Sequence, residues 1–114
     1  MLVVLRFRVA EGGAEEFSAA AQEALRALAV RPGYRRGELG QAYDDATLWC
    51  LATEWESVGS YRRALGATEV KMVATPLLAQ ALDEPSAYEP LVRADPGGTV
   101  VVSVSDRGPL RSRP

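Results

Sequence analysis

The sequence predicts an α+β domain built on an antiparallel sheet, and three stretches carry that prediction. An alternating run of β-branched and aromatic residues opens the chain, a long amphipathic helical pattern follows, and two strand-like runs then meet at an Asp-Asp pair. At 114 residues the chain fits one domain with a sizeable core.

Residues 2–9 read Leu-Val-Val-Leu-Arg-Phe-Arg-Val and form the first expected strand, with Val3, Leu5, Phe7 and Val9 on one face. Arg6 and Arg8 share the other face and are expected to make salt bridges at the sheet surface. Glu11-Gly12-Gly13 breaks the strand and opens a helix over residues 14–30. Phe17, Ala21, Ala24, Leu25 and Leu28 recur on one side of it, and the alanines there permit close approach to the sheet.

Arg31-Pro32-Gly33 stops that helix and delivers the chain into a second strand, residues 34–43, in which Gly37 and Gly40 imply a bulge or a close backbone approach. Asp44-Asp45 is the expected hairpin turn, and residues 47–55 are the third strand. Trp49, Leu51, Thr53 and Trp55 fall on one face of it, with Leu48, Cys50, Ala52 and Glu54 on the other. Both faces are largely apolar. Helices can cover one, so a second sheet from another copy of the chain is expected on the other, which predicts a homodimer.

Ser57 is placed to cap the next helix, with Val58, Tyr61 and Leu65 as its apolar stripe, and Thr75-Pro76 has the form of a further helix start carrying Leu77, Leu78, Ala81 and Leu82. Asp83-Glu84-Pro85 ends that helix. Residues 86–92 are the fourth strand, with Pro90 demanding an edge or a bulge. The order β-α-β-β-α-β is the ferredoxin-like arrangement. Residues 1–94 are thus read as the domain and 95–114 as a C-terminal extension, in which residues 99–105 can form an extra strand and 107–114 are expected to be mobile unless docked.

Composition removes whole classes of chemistry. A net charge of −2, with all but one of the thirteen cationic residues being scattered arginines, offers no basic stripe for nucleic acid. Histidine and asparagine are absent, which eliminates the commonest metal ligand and the usual Ser-His and Cys-His pairs. Cys50 is the single cysteine and sits in an apolar strand, as a small hydrophobe would. The apolar run at residues 1–5 is too short for a signal-peptide core or a membrane span, so the expected compartment is the cytoplasm.

The junction Glu54-Trp55-Glu56-Ser57-Val58-Gly59-Ser60-Tyr61 joins a strand ending in tryptophan to a capped helix carrying an aromatic. With the element order around it, this stretch resembles the antibiotic biosynthesis monooxygenase family, and the resemblance spans about residues 2–92. It implies a ferredoxin-like unit forming a dimeric α+β barrel. Members of that family oxidise aromatic polyketides with molecular oxygen and neither metal nor flavin, and others degrade heme. A deprotonated, electron-rich substrate can itself donate an electron to oxygen. The resemblance therefore implies a cofactor-independent monooxygenase with no cofactor, acting on an aromatic or polyketide-like small molecule. It implies Trp55 and Tyr61 as catalytic residues, and Trp49, Trp55, Tyr61 and Arg62 as the substrate-binding set, with Arg62 or Arg63 stabilising an anion.

The heme-degrading branch uses a helix histidine and a strand asparagine, where this chain has Leu65 and, near the strand position, Leu5. The polyketide-oxidising branch also uses an asparagine that the chain lacks. Beside these functional roles stand plain structural ones: Trp49 and Trp55 as core aromatics, Tyr61 as a buried tyrosine, Arg62-Arg63 as a solvated helix face, and Glu54 as a partner of Arg6 or Arg8. A non-catalytic dimeric binding or structural module of the same fold is the competing reading, with an isomerase or cyclase as a third.

Overall fold

The computed structural model describes residues 1–105 and 107–111. Strand β1 (Leu2–Arg8) runs into helix α1 (Ala14–Ala29), then β2 (Tyr34–Ala42) and β3 (Asp45–Trp55), then α2 (Val58–Gly66), α3 (Thr68–Val73) and a short α4 (Thr75–Leu78). The first sheet has the order β2-β3-β1-β4, where β4 is only Ala87–Tyr88, and all its pairings are antiparallel. This is the ferredoxin-like order that the sequence implies.

Register explains why the two faces of the sheet differ. Val3, Leu5 and Phe7 lie opposite Thr53, Leu51 and Trp49, and all face the helices, whereas Val4, Arg6 and Arg8 lie opposite Ala52, Cys50 and Leu48 on the uncovered side. Val3, Phe7, Leu51 and Trp55 are buried against Phe17, Ala21, Ala24, Ala27 and Leu28 of α1. Alanines at every turn of that helix face let α1 lie close to the strands. Leu25, expected in the buried stripe, is half-buried at its edge, and Ala27 takes the place.

On the uncovered face Arg6 makes a two-pronged salt bridge to Glu84, at 2.8 and 2.7 Å, and Arg8 reaches Asp45 at 2.7 Å. The arginines are surface ion pairs, as their alternation implies. Glu54 is not their partner. Its cross-strand neighbours are Leu2 and Arg36.

The hairpin turn falls at Tyr43-Asp44, one residue before the expected pair, because Asp45 already belongs to β3 and uses its carboxylate to accept from the Thr47 backbone N–H and hydroxyl. Of the two strand glycines only Gly37 is sterically required. A Cβ there would sit 2.5 Å from the Tyr34 hydroxyl and 2.8 Å from Leu25 Cδ1, whereas one on Gly40 would meet nothing within 4 Å. The bulges flank them, at Tyr34/Arg36 and Gln41/Ala42.

Three helical expectations need correction. The buried pair of α2 is Ser60 and Ala64, with Tyr61 and Leu65 half-buried and Val58 exposed. Residues Thr68–Val73 form a helix of their own, α3. Helix α4 is four residues long and is preceded by Ala74 rather than capped by Thr75, whose hydroxyl instead donates to the Val70 carbonyl. Only Leu77 of its apolar set is buried, since a helix of barely one turn can direct one side chain inward.

The C-terminal region departs most. The expected strand 86–92 breaks after Tyr88, because Pro90 cannot donate to a ladder, and the chain resumes as β5 (Val92–Ala94) paired with β6 (Val100–Val102). The turn between them uses Gly97 and Gly98 at φ +96° and +92°, values that favour glycine. This hairpin forms its own two-stranded sheet and exposes Val92, Val100, Val101, Val102 and Val104. The expected end of the extension at residues 112–114 lies outside the described residues.

Gly33 fixes how the sheet meets α2. Its φ is +89°, and a Cβ there would lie 2.3 Å from the Ser60 Cβ. Gly33→Ala is therefore expected to destabilise the protein by about 3 kcal/mol, from left-handed strain and overpacking together. Urea denaturation checks this, and a loss under about 1 kcal/mol would mean that the turn and α2 separate freely.

Candidate functional site

The strand-helix junction is assembled by three local devices. The Trp55 backbone donates to the Met1 carbonyl at 2.8 Å and its own carbonyl accepts from the chain's amino terminus at 2.9 Å, which ties the end of β3 to the start of β1. A capping box then starts α2: the Ser60 N–H donates to the Ser57 hydroxyl, and the Ser57 N–H donates to the Ser60 hydroxyl, each at 3.1 Å. Finally, the Glu56 N–H donates to the Gly33 carbonyl at 2.8 Å and brings the α1–β2 turn beside them.

The consequence is a Tyr-Trp-Tyr cluster. Trp55 is 0% exposed and its indole N–H donates to the Thr53 hydroxyl at 2.9 Å. Tyr61 packs on it with ring centroids 5.4 Å apart, and Tyr34 packs edge-on from the other element at 5.3 Å. Neither tyrosine hydroxyl has a hydrogen-bond partner among the described residues, and both tyrosines are half-buried. Burial pushes the hydroxyl pKa of Tyr34 and of Tyr61 above the ordinary 10.0. Both phenols are accordingly protonated at neutral pH and can donate a hydrogen bond to an oxyanion.

The other expected site residues do not join this cluster. Trp49 shares the strand face with Trp55 but lies six residues away, about 20 Å along the strand, beside Phe17 at 5.4 Å. Its indole N–H is buried without a partner among the described residues. Arg62 and Arg63 are exposed on α2. The rings of Trp55 and Tyr61 pack on each other and line neither of the cavities at the opposite end of the sheet. One of those, of about 260 Å³, is bounded by Phe7, Phe17, Leu77, Arg8, Glu16 and Gln80 among others. The second is a shallower depression over Trp49, Ser18 and Gln22.

Sequence reasoning missed Tyr34 and the Phe7–Phe17 pair. Tyr34 follows the helix-stopping Pro32-Gly33, which returns the chain to the start of the strand beside β3, so its meeting with Trp55 follows from antiparallel pairing. Phe7 and Phe17 flank the Glu11-Gly12-Gly13 break and both carry core-face periodicity, which placed them in the core without showing that the layer opens beside them. Among the described residues no group of three or more histidine, cysteine, aspartate or glutamate side chains could hold a metal. No helix among the described residues is long and apolar enough to cross a membrane.

Sheet order and junction together define a small ferredoxin-like α+β protein. Residues 1–75 match the antibiotic biosynthesis monooxygenase family, and the chain belongs to that family. Among solved structures it is similar to SnoaB, a cofactor-independent oxygenase from Streptomyces nogalater. The two share 27% identity at a TM-score of 0.64, over 79% of this chain and 94% of that one. It also resembles a conserved protein from Methanosarcina mazei Go1, at 20% identity and a TM-score of 0.62, over 75% of this chain and 84% of that one. A structure described as an antibiotic biosynthesis monooxygenase matches at 13% identity and a TM-score of 0.60, covering 92% of this chain and 98% of that one. Such low identities carry the fold alone. No curated protein matches the chain.

Proposed function

We propose that the chain is a cofactor-independent monooxygenase that acts on an aromatic or polyketide-like small molecule with molecular oxygen, as a homodimer. The observation that carries this reading is the half-buried Tyr61, held against a fully buried Trp55 at the strand-helix junction of a chain in this family. SnoaB, which it resembles, is a cofactor-independent oxygenase. In such chemistry a substrate phenolate or enolate supplies the electrons to oxygen, so the protein needs only shape and stabilisation of negative charge. A neutral phenol suits that second task. Tyr61 would donate to the substrate oxyanion, Trp55 would set its position, and Arg62 at the helix surface would attract the anion. Trp49, at the far end of the face, would bear on substrate only through a ligand that extends along the sheet.

Tyr61→Phe tests the assignment. The hydroxyl has no protein partner among the described residues, so stability should change by less than about 0.5 kcal/mol. Oxygen consumption with anthrone or naphthol substrates should fall about 100-fold or more in kcat, with KM little altered. Unchanged turnover would remove Tyr61 from the mechanism. The sign of the pH dependence also follows. Because the folded protein favours the neutral phenol, its stabilisation is complete below pH 10.0 and is lost as pH rises through the folded value, the unfolded chain releasing its proton first.

The close packing around Trp55 favours a second reading, a dimeric binding module without turnover. Absence of oxygen consumption across the same substrates, together with saturable binding of one of them, is the outcome that selects it. In either case the homodimer would be made through the uncovered sheet face, with the Val100–Val102 strand adding to it; deletion of residues 96–114 is then expected to weaken dimerisation, and unchanged dimer affinity would remove the hairpin from the interface.

A further inference from the structure

The β5–β6 hairpin ends in a strand edge whose backbone is set for a partner. The Asp95 N–H donates to the Thr99 carbonyl and the Ser103 N–H to the Leu91 carbonyl, each at 2.8 Å, with Arg93 opposite Val101 between them. Odd-numbered residues therefore make the hairpin's own ladder. In an antiparallel pair the alternate residues turn their N–H and C=O groups the other way, so those of Val100 and Val102 point out from the free edge of β6, and the same alternation carried on places Val104 with them. None of the three has a backbone partner among the described residues. Side chains sort in the same way. Val92, Ala94, Val100, Val102 and Val104 share one face, and its valines are exposed, whereas Arg93, Asp95, Thr99 and Ser103 lie on the other, where Arg93 and Asp95 form an ion pair at 3.2 Å. Strand edges left in water are commonly guarded by proline, charge or a bulge. The outer edge of β5 is guarded, since Pro90 and Pro96 flank it and Arg93 sits at its centre. The edge of β6 is not: residues 99–105 contain neither proline nor charge.

We infer that the free edge of β6 is an interaction surface whose partner is β6 of a second copy of the chain, running antiparallel about a two-fold axis at Val102. This is the contact by which the hairpin would enter the proposed homodimer, and it rests on that reading for its partner. Register carries the choice. Outward groups pair only with outward groups, which restricts the hydrogen-bonded pairs to even-numbered residues. Centring on Val102 sets that residue against its own copy and Val100 against Val104 of the partner subunit, and uses the whole run from Thr99 to Ser105. A centre at Val101 would bring the Gly97–Gly98 turn opposite Ser105 and Val104, so that only residues 99–103 could pair. The run is uncharged, so two copies meet without repulsion, and on the valine face each side chain gains a β-branched neighbour across the strands. A two-stranded ribbon of such short strands is marginal by itself, and the pairing makes it four-stranded.

Hydrogen exchange of the full chain, read residue by residue by NMR, tests the contact together with sedimentation equilibrium of two variants. In the wild type the Val100 and Val102 amides should exchange at least about tenfold more slowly than those of Val92 and Ala94, which point outward from β5 and serve as the unpaired reference. Val102→Pro removes one outward N–H and no bond of the hairpin's own ladder, so it should weaken dimerisation by about tenfold or more. Val102→Thr keeps the N–H and the β-branch and should change it by less than about threefold. The exchange pattern of the unaltered chain decides the matter should the proline unsettle the hairpin. Val100 and Val102 amides that exchange as fast as those of Val92 and Ala94, in a protein that sediments as a dimer, would overturn the edge contact and leave the homodimer standing. Slow exchange with dimer affinity unchanged in Val102→Pro would mean that the same chain covers the edge, which overturns it as well. A chain that is monomeric at every concentration overturns both readings.

Discussion

Trp55→Ala is expected to lower the unfolding free energy by about 3–5 kcal/mol, the range for emptying a fully buried large aromatic site. The loss has several physical sources. The indole is 0% exposed, it separates Tyr34 from Tyr61, and its N–H satisfies the buried Thr53 hydroxyl, which would lose that donor. Neighbouring side chains cannot close the gap, because Gly33 and the Ser57–Ser60 capping box pin α2 in place. Trp49→Phe is the control. It removes a buried N–H that has no partner among the described residues, so it should be neutral within about 1 kcal/mol despite being a tryptophan on the same strand face. Urea denaturation at one fixed chain concentration measures both. A Trp55 variant no less stable than the Trp49 variant would mean that the junction is an open pocket rather than a packed cluster.

Most of the first 66 residues were legible because their signals are periodic. Alternation fixed which residues of β1 and β3 face the helices, and the spacing of Phe17, Ala21, Ala24 and Leu28 fixed the buried side of α1. Ser57 was legible as a cap for a chemical reason, but the second half of the box, Ser60, was not, because a serine at that position is usually glutamate or glutamine in such a motif. Legibility fell where elements are short. Helix α4 is barely one turn, and β4 pairs over two residues, so no period exists to be read. Pro90 was recognised as a disturbance, yet whether it bulges a strand or ends one depends on whether a neighbour is there to pair. The site divides in the same way. Trp55 and Tyr61 were singled out through the family resemblance of the strand-helix junction, whereas Tyr34 and the cleft at Phe7 and Phe17 arise from contacts between elements far apart in sequence.

Ala52→Glu is expected to convert the proposed dimer to a monomer at micromolar concentration while leaving the chain folded. On the uncovered face Ala52 lies between Val4 of β1 and Glu38 of β2, with Cys50 and Leu48 further along its own strand. Among the described residues no element of the same chain covers these positions, because α1, α2 and α3 all lie on the other side. The apolar residues are ringed by the Arg6–Glu84, Arg8–Asp45 and Arg36–Glu38 pairs, an arrangement of apolar core and charged rim that suits contact with a second copy. A two-fold axis makes any substitution appear twice. Two further carboxylates brought into one desolvated layer, each beside a Glu38 that already occupies Arg36, oppose association by several kcal/mol, and about 2.8 kcal/mol already raises the dissociation constant 100-fold. In the isolated chain the same side chain points to water, so circular dichroism should be unchanged. Sedimentation equilibrium is the measurement. A wild-type mass of 12.3 kDa at micromolar concentration would dispose of the dimer, and an Ala52→Glu protein that remains dimeric would move the interface off this face, with the exposed valines of the β5–β6 hairpin as the surface to test next.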